Sequence, residues 1–167
     1  LLQGLPERDK LELIIQKAVE LGASSIVPVM MARSNVRLDD KKADRKAERL
    51  AEIAKSAAEQ SKRGILPQVA SPKRFADAIA LAKDADIKLI CYEDETAAGR
   101  LQALLPQLDS AKKIALLVGP EGGISEEEWQ AATCAGFQSV SLGRRILRTE
   151  TAGLCLLSYL MLHLENA

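Results

Sequence analysis

Aromatic residues are scarce: Phe75, Tyr92, Trp129, Phe137 and Tyr159 are the whole set in 167 residues. A platform that stacks single-stranded nucleic acid needs several exposed rings, so that mode of binding is excluded. Histidine occurs once, as His163, and Cys91, Cys134 and Cys155 stand far apart, matching no C-x-x-C metal or redox spacing. That pattern argues against zinc, leaves no metal site to expect, and points to reduced, buried thiols in a cytoplasmic protein. Neither sign of charge is in excess, with 23 Lys and Arg against 23 Asp and Glu. The balance rules out a strongly electrostatic nucleic-acid or membrane binder; RNA contact would need local basic patches or another module. Long apolar runs are also missing. The uncharged stretch from Thr151 to Leu164 is shorter than the roughly 18 residues that a membrane span requires. Glu7, Arg8, Asp9 and Lys10 interrupt the first apolar residues, so they do not read as a secretory signal. The opening "LLQGLPERDK" has no methionine and reads as a fragment that has lost an N-terminal portion.

What the chain does have is alternation. An apolar stub (Leu1–Gln3) precedes an expected helix over Glu7–Leu21, in which Leu11, Ile14, Ile15 and Ala18 recur at helical spacing before Gly22. "SSIVPVM" reads as a strand, with Pro28 arguing for an edge or a bulge, and "ARSNVRLDD" as a loop. A charged helix over Lys41–Lys62 carries Ala47, Leu50, Ile53, Ala54, Ala57 and Ala58 on one face. An extended "LPQVA", a helix over Lys73–Lys83, a strand "DIKLICYED" and a helix over Ala97–Leu108 follow. "KIALLVG" and "QSVSLG" are the last strands. Between them Ser125 and Glu128 form a capping box, and a helix over Glu150–Glu165 closes the chain. Such alternation predicts an α/β fold, a mostly parallel sheet with helices on both faces, over residues 1–167 as one domain. Ligands of such sheets bind beyond the carboxyl ends of the strands, where "CYEDE", "GPEGG" and "LGRRILRTET" fall.

"GPEGG" (119–123) lacks the Gly-Lys-Ser/Thr ending of a P-loop and the spacing of a dinucleotide fingerprint, which disfavours phosphate transfer. A tight strand-to-helix turn is one reading; a backbone surface open to a flat or polar ligand is the other. In "LGRRILRTETAGL" (142–154), Arg144, Arg145 and Arg148 fall within five positions, interrupted by Ile146 and Leu147. A solvated turn with a Thr/Glu helix cap explains the polar residues. The two apolar ones predict partial burial, as beside a bound adenine. The last helix is apolar almost all round, which predicts packing on the sheet and either on a second subunit or within one larger subunit. "KKADRKAER" reads as a solvated helical face. "EQSKRG" reads as a cationic helix end, with RNA phosphate as the alternative partner.

"GPEGG" followed some twenty residues later by "LGRRILRTETA", with "IIQKAVELG" and "AEQSKR" upstream, resembles the RsmE-type 16S ribosomal RNA uridine-N3 methyltransferases of the SPOUT superfamily. The resemblance covers nearly the whole chain. It implies a SPOUT methyltransferase domain with a C-terminal trefoil knot, lacking the small PUA-like RNA-binding domain that precedes it in the family. It implies S-adenosyl-L-methionine as cofactor and a homodimer through the knot and C-terminal helix. The implied substrate is 16S rRNA of the small ribosomal subunit, methylated at N3 of a uridine. The implied cofactor residues are Leu117, Gly119, Gly122, Leu142, Gly143, Ile146, Leu147, Arg148, Thr151 and Ala152, with Glu93 as a neighbour. The chemistry of the reaction nominates Arg148 as electrostatic stabiliser and Glu121 or Glu150 as acid/base. A non-catalytic knotted domain that binds cofactor or RNA is the alternative, and an unrelated α/β enzyme binding a nucleotide phosphate is a third reading.

Overall fold

The computed structural model describes residues 1–36, 40–92 and 100–166. Among them seven strands form one sheet: β1 (Leu2–Gly4), β2 (Ser25–Met30), β3 (Gln68–Val69), β4 (Lys73–Arg74), β5 (Ile87–Cys91), β6 (Ile114–Val118) and β7 (Gln138–Val140). Their order is β3-β2-β1-β6-β5-β7, with β4 also on β2. Every pairing is parallel, including Leu2 opposite both Val27 and Leu117, and Ile90 opposite Leu117.

The helices are α1 (Lys10–Glu20), α2 (Asp40–Gln60), α3 (Phe75–Ala80), α4 (Arg100–Ala103), α5 (Leu105–Leu108), α6 (Glu126–Cys134) and α7 (Thr149–Glu165). They cover both faces of the sheet. Leu11, Ile15, Leu50, Ala54, Leu108, Leu156 and Leu160 bury one face together with Leu89 and Leu116. Ala78, Ala132, Phe137 and Ile124 bury the other with Ile90 and Leu117. Alternate residues of one strand thus enter opposite cores, as a parallel sheet covered on both sides requires. The predicted apolar stripe of α1 is buried throughout.

Helix ends are closed as the sequence indicates. Gly22 N–H donates to Val19 O and Ala23 N–H to Ala18 O, a Schellman closure. Arg63 donates from Nη1 to Val19 O and Ala23 O and from Nη2 to Gly22 O. The guanidinium of "EQSKRG" is therefore engaged with the end of α1, satisfying carbonyls that the helix leaves over. Ser125 and Glu128 form the expected capping box on α6.

Three expectations are corrected. Pro28 lies inside a strand paired on both sides, so it is not at an edge; the expected bulge is there, but its extra residue is on the neighbouring side, where the register against β2 shifts by one between Ile26–Val69 and Val29–Lys73. Val27 N–H donates to Leu1 O, and Ala70 N–H to Ile26 O. The even-numbered residues of β2 therefore face β3 and β4, and the absent N–H of Pro28 falls where β3 has ended and β4 has not begun. The helix expected over 73–83 is only Phe75–Ala80, because Lys73 and Arg74 pair with Val29 and Met30. The helix expected over 97–108 is broken between α4 and α5 around Leu104. Pro106 has no N–H with which to continue the ladder. Residues 97–99 of that helix lie outside the described residues, as do Glu93 and positions 37–39 of the loop before α2. No described helix is long and apolar enough to cross a membrane.

Candidate functional site

Because all strands run the same way, the chain leaves β1, β2, β5, β6 and β7 at one edge. A cleft of about 720 Å³ opens there, within the size range of small-molecule sites. Its walls are Val118–Ile124, Ile146–Thr149 and Ala152, completed by Lys10, Arg33, Cys91 and Tyr92. The two motifs therefore form one site, joined by residues that end or follow three further strands, β1, β2 and β5.

The glycines of "GPEGG" are demanded first by the chain itself. A Cβ on Gly119 would stand 2.7 Å from Ile124 Cγ1, and one on Gly122 would stand 2.7 Å from the carbonyl oxygen of Arg33. The turn packs so closely on its neighbours that side chains have no room. The loop after β2 is held there by Glu128, whose Oε1 accepts from Ala32 N–H at 2.7 Å while Oε2 accepts from Ser125 N–H. Arg33 then reaches Gly122 O from Nη1 at 3.4 Å.

A buried relay ties the two motifs together. Thr149 Oγ1 donates to Gly119 O at 2.6 Å and accepts from Gln3 Nε2 at 2.9 Å, and Gln3 Nε2 also donates to Gly4 O. Gln3 and Thr149 are both buried. The residue that begins α7 is thus bonded to the residue that follows β6.

Charge converges on Lys10. Its Nζ lies 2.7 Å from Glu121 Oε1 and 3.8 Å from Glu150 Oε2. Both oxygens of Glu121 also accept from Glu7 N–H, at 3.1 and 3.2 Å. The hydrogen bond to Glu121 holds the Lys10 ammonium above its usual pKa. Burial pulls the Glu121 carboxyl upward, but the Lys10 bond and the backbone N–H groups of Glu121 and Glu7 outweigh it and hold the group below its usual pKa. A carboxylate engaged in this way is a poor proton acceptor. Glu150 Oε2 is buried without a hydrogen-bond partner. Cys91 is inert, since burial, then the neighbouring Cys155, pushes its thiol up to about 12. Tyr92 stacks on Trp129, ring centroids 5.3 Å apart, and Trp129 Nε1 donates to Ser139 Oγ.

Of the residues nominated from sequence, Gly119, Glu121, Gly122, Ile146, Leu147, Arg148 and Ala152 line the cleft. Leu117 is a buried core side chain of β6, paired with Leu2 and Ile90. Leu142 is half-buried against the core, and Gly143 and Thr151 are exposed. Of the two apolar residues expected to be partly buried, Leu147 is half-buried, whereas Ile146 is 83% exposed, with nothing among the described residues to cover it. Lys10, Arg33 and Gln3 were missed. A usable signal existed: a first strand parallel to the rest must place the residues after it at the same edge as "GPEGG". Among the described residues no group of three or more His, Cys, Asp or Glu side chains could hold a metal ion.

Comparison with known proteins identifies the family. A family model described as an RNA methyltransferase domain matches residues 1–161. Ribosomal RNA small subunit methyltransferase E of Bacillus subtilis is 44% identical over 158 residues, 93% of this chain and 62% of that protein. The crystal structure of the Neisseria gonorrhoeae enzyme of the same name, bound to S-adenosyl methionine, superposes with a TM-score of 0.79 at 34% identity. That match covers 96% of this chain and 64% of the other. A SpoU methyltransferase of Streptomyces viridochromogenes shares the fold at a TM-score of 0.56 and 16% identity, over 99% of this chain and 59% of the other. The chain spans somewhat less than two thirds of the length of each of these relatives.

Proposed function

Because the chain belongs to the RNA methyltransferase domain family, we propose that its cleft holds S-adenosyl-L-methionine and serves methylation of uridine N3 in 16S rRNA of the small ribosomal subunit. The observation that carries this reading is the meeting of the two motifs in one cleft, locked by the bond from Thr149 to Gly119. The fit is good on the chain's own terms. Ile146 presents a large apolar side chain left uncovered by the described residues and open to a ligand, and Leu147 and Ala152 extend that surface. Residues Gly119 and Gly122 present backbone to the same space. Leu142, Gly143 and Thr151 flank the segment that would close over an adenosine, with Leu117 behind it in the sheet.

The cofactor supplies a methyl group on a positively charged sulfur. The chain supplies the rest. Placing the reactants at fixed separation accounts for a large part of such a rate enhancement. Arg148, exposed at the cleft rim beside the start of α7, stabilises the negative charge that develops on the uracil as N3 loses its proton. Glu150, whose Oε2 has no hydrogen bond and lies 3.8 Å from Lys10 Nζ, is the remaining acid/base candidate. Glu121 anchors its loop to Glu7 and Lys10. We further read the return of the chain from β7 to α7 as the trefoil knot of this fold. The apolar residues left uncovered on α7, Leu162 and Leu164, are read as part of a homodimer face in a cytoplasmic protein.

The test is calorimetric titration of the chain with S-adenosylmethionine and with ATP, beside a Gly122→Val variant whose side chain would collide with Arg33 O. Saturable binding of the methionine cofactor alone, lost in the variant, is the expected result. Transfer of a labelled methyl group to uridine N3 of 16S rRNA by the full protein completes it. A folded chain that binds ATP equally well, or binds neither, would falsify the proposal.

A further inference from the structure

We infer that Gln3 is a positioning residue for the cofactor cleft: its carboxamide dictates that the one proton of the Thr149 hydroxyl goes to Gly119 O, and so sets the separation of the two cleft walls. The inference rests on the cofactor reading above and extends it to a residue that does not line the cleft.

The direction of the relay follows from what each atom can do. Gly4 O only accepts, so the carboxamide turns its nitrogen there, and the same Nε2 stands 2.9 Å from Thr149 Oγ1. An amide nitrogen brings two protons and no lone pair to offer. With one proton on Gly4 O, the other meets Thr149 Oγ1, which must accept it. The single hydroxyl proton is then left for Gly119 O at 2.6 Å. Gln3 is fully buried, so bulk water does not compete for either amide proton.

Stability alone does not account for this side chain. Gln3 Oε1 is buried without a hydrogen-bond partner, 3.4 Å from where a Cβ on Gly153 of α7 would lie. An apolar side chain would leave no orphaned oxygen of its own. What the carboxamide adds is polarity, and that polarity is passed to the cleft. Thr149 belongs to the wall that also holds Ile146 and Leu147, and Gly119 to the wall that also holds Glu121 and Gly122. Turning the hydroxyl away from Gly119 O would undo the tie between them.

Glutamate at position 3 reverses the polarity and keeps the shape. Ionised, it offers Thr149 only lone pairs. Protonated, it gives its one proton to Gly4 O and still turns a lone pair to Thr149. In both forms the hydroxyl is drawn toward position 3 and Gly119 O loses its donor. Leucine there removes the amide but leaves the hydroxyl free to reach Gly119 O.

The test is calorimetric titration of S-adenosylmethionine into wild type, Gln3→Glu, Gln3→Leu, Thr149→Val and the double variant carrying both Gln3→Glu and Thr149→Val, each shown to be folded by circular dichroism. Gln3→Glu and Thr149→Val each weaken binding by about 5- to 50-fold, the effect of one buried hydrogen bond, and Gln3→Leu by about 3-fold or less. The double variant binds as Thr149→Val does, because glutamate acts only through the hydroxyl. A Gln3 that merely supports the fold would give equal losses in Gln3→Leu and Gln3→Glu, or additive losses in the double variant, and either result overturns the inference. If Gln3→Glu does not fold, neutron diffraction from wild-type crystals decides. A Thr149 deuteron on the line to Gly119 O supports the inference, and one directed at Gln3 overturns it. A wild-type chain that binds no S-adenosylmethionine overturns the cofactor reading, and the inference with it.

Discussion

Replacing Thr149 by valine would test whether the two motifs are held together as described. The side chain keeps its volume and loses its hydroxyl. Gly119 O then loses the donor at 2.6 Å and Gln3 Nε2 loses its acceptor at 2.9 Å, while keeping Gly4 O. Both sites are buried, so water does not readily replace the lost partner. A buried polar group left unsatisfied costs about 1–3 kcal/mol. One fully orphaned carbonyl and one partly orphaned amide therefore predict a loss of about 2–4 kcal/mol, a large share of the total stability of a domain. Urea unfolding followed by far-ultraviolet circular dichroism would read this as a lower midpoint with an unchanged slope. Thr149→Ser, which keeps the hydroxyl, should remain near wild type. Adding Gln3→Met to Thr149→Val should cost less than the two single changes summed, because removing both partners spares the desolvation penalty of the amide. A Thr149→Val chain within about 0.5 kcal/mol of wild type, the range of ordinary surface substitutions, would refute the relay.

Two further outcomes are expected. The Glu121 carboxyl is held below its usual 4.5, so its contribution to stability is complete above that value and is lost as pH falls through the folded-state pKa. Lys10 is held above its usual 10.5, so its share is present below that value and lost as pH rises through its own. The stability gap between wild type and Glu121→Gln should therefore narrow at both ends of the pH range; a gap that widens in acid would show that the pair is wrongly assigned. Trp129, the only tryptophan, stacks on the cleft-lining Tyr92. Ligand binding should alter its fluorescence, and Tyr92→Leu should blunt that response while calorimetric binding persists. An undiminished response in the variant would sever the proposed link.

Much of this fold was legible locally. The stripe of Leu11, Ile14, Ile15 and Ala18, the Ser125–Glu128 capping box and the apolar strands "IKLIC" and "IALLV" each lie within a short window. Their periods follow directly from helix and strand geometry. The two motifs and the edge at which they lie were legible for the same reason. The edge reading of Pro28 failed because the room for a residue without an N–H comes from the register shift between β3 and β4, which no property of "SSIVPVM" encodes. Ile146 was misjudged because apolar character predicts that a surface will be covered, without saying that the chain itself covers it.

By itself, then, the sequence determined which segments become helix or strand and that two glycine- and arginine-bearing loops share an edge. These properties reside in spacings of a few residues. Only the tertiary structure decided that Lys10 meets Glu121 across 111 positions and Gln3 meets Thr149 across 146. Likewise, the backbone of Arg33 and the side chain of Ile124 are what require glycine at 122 and 119. Such contacts follow from strand order, which brings β1 beside β6 and carries the chain back from β7 to the start of α7, and strand order is a property of the whole sheet.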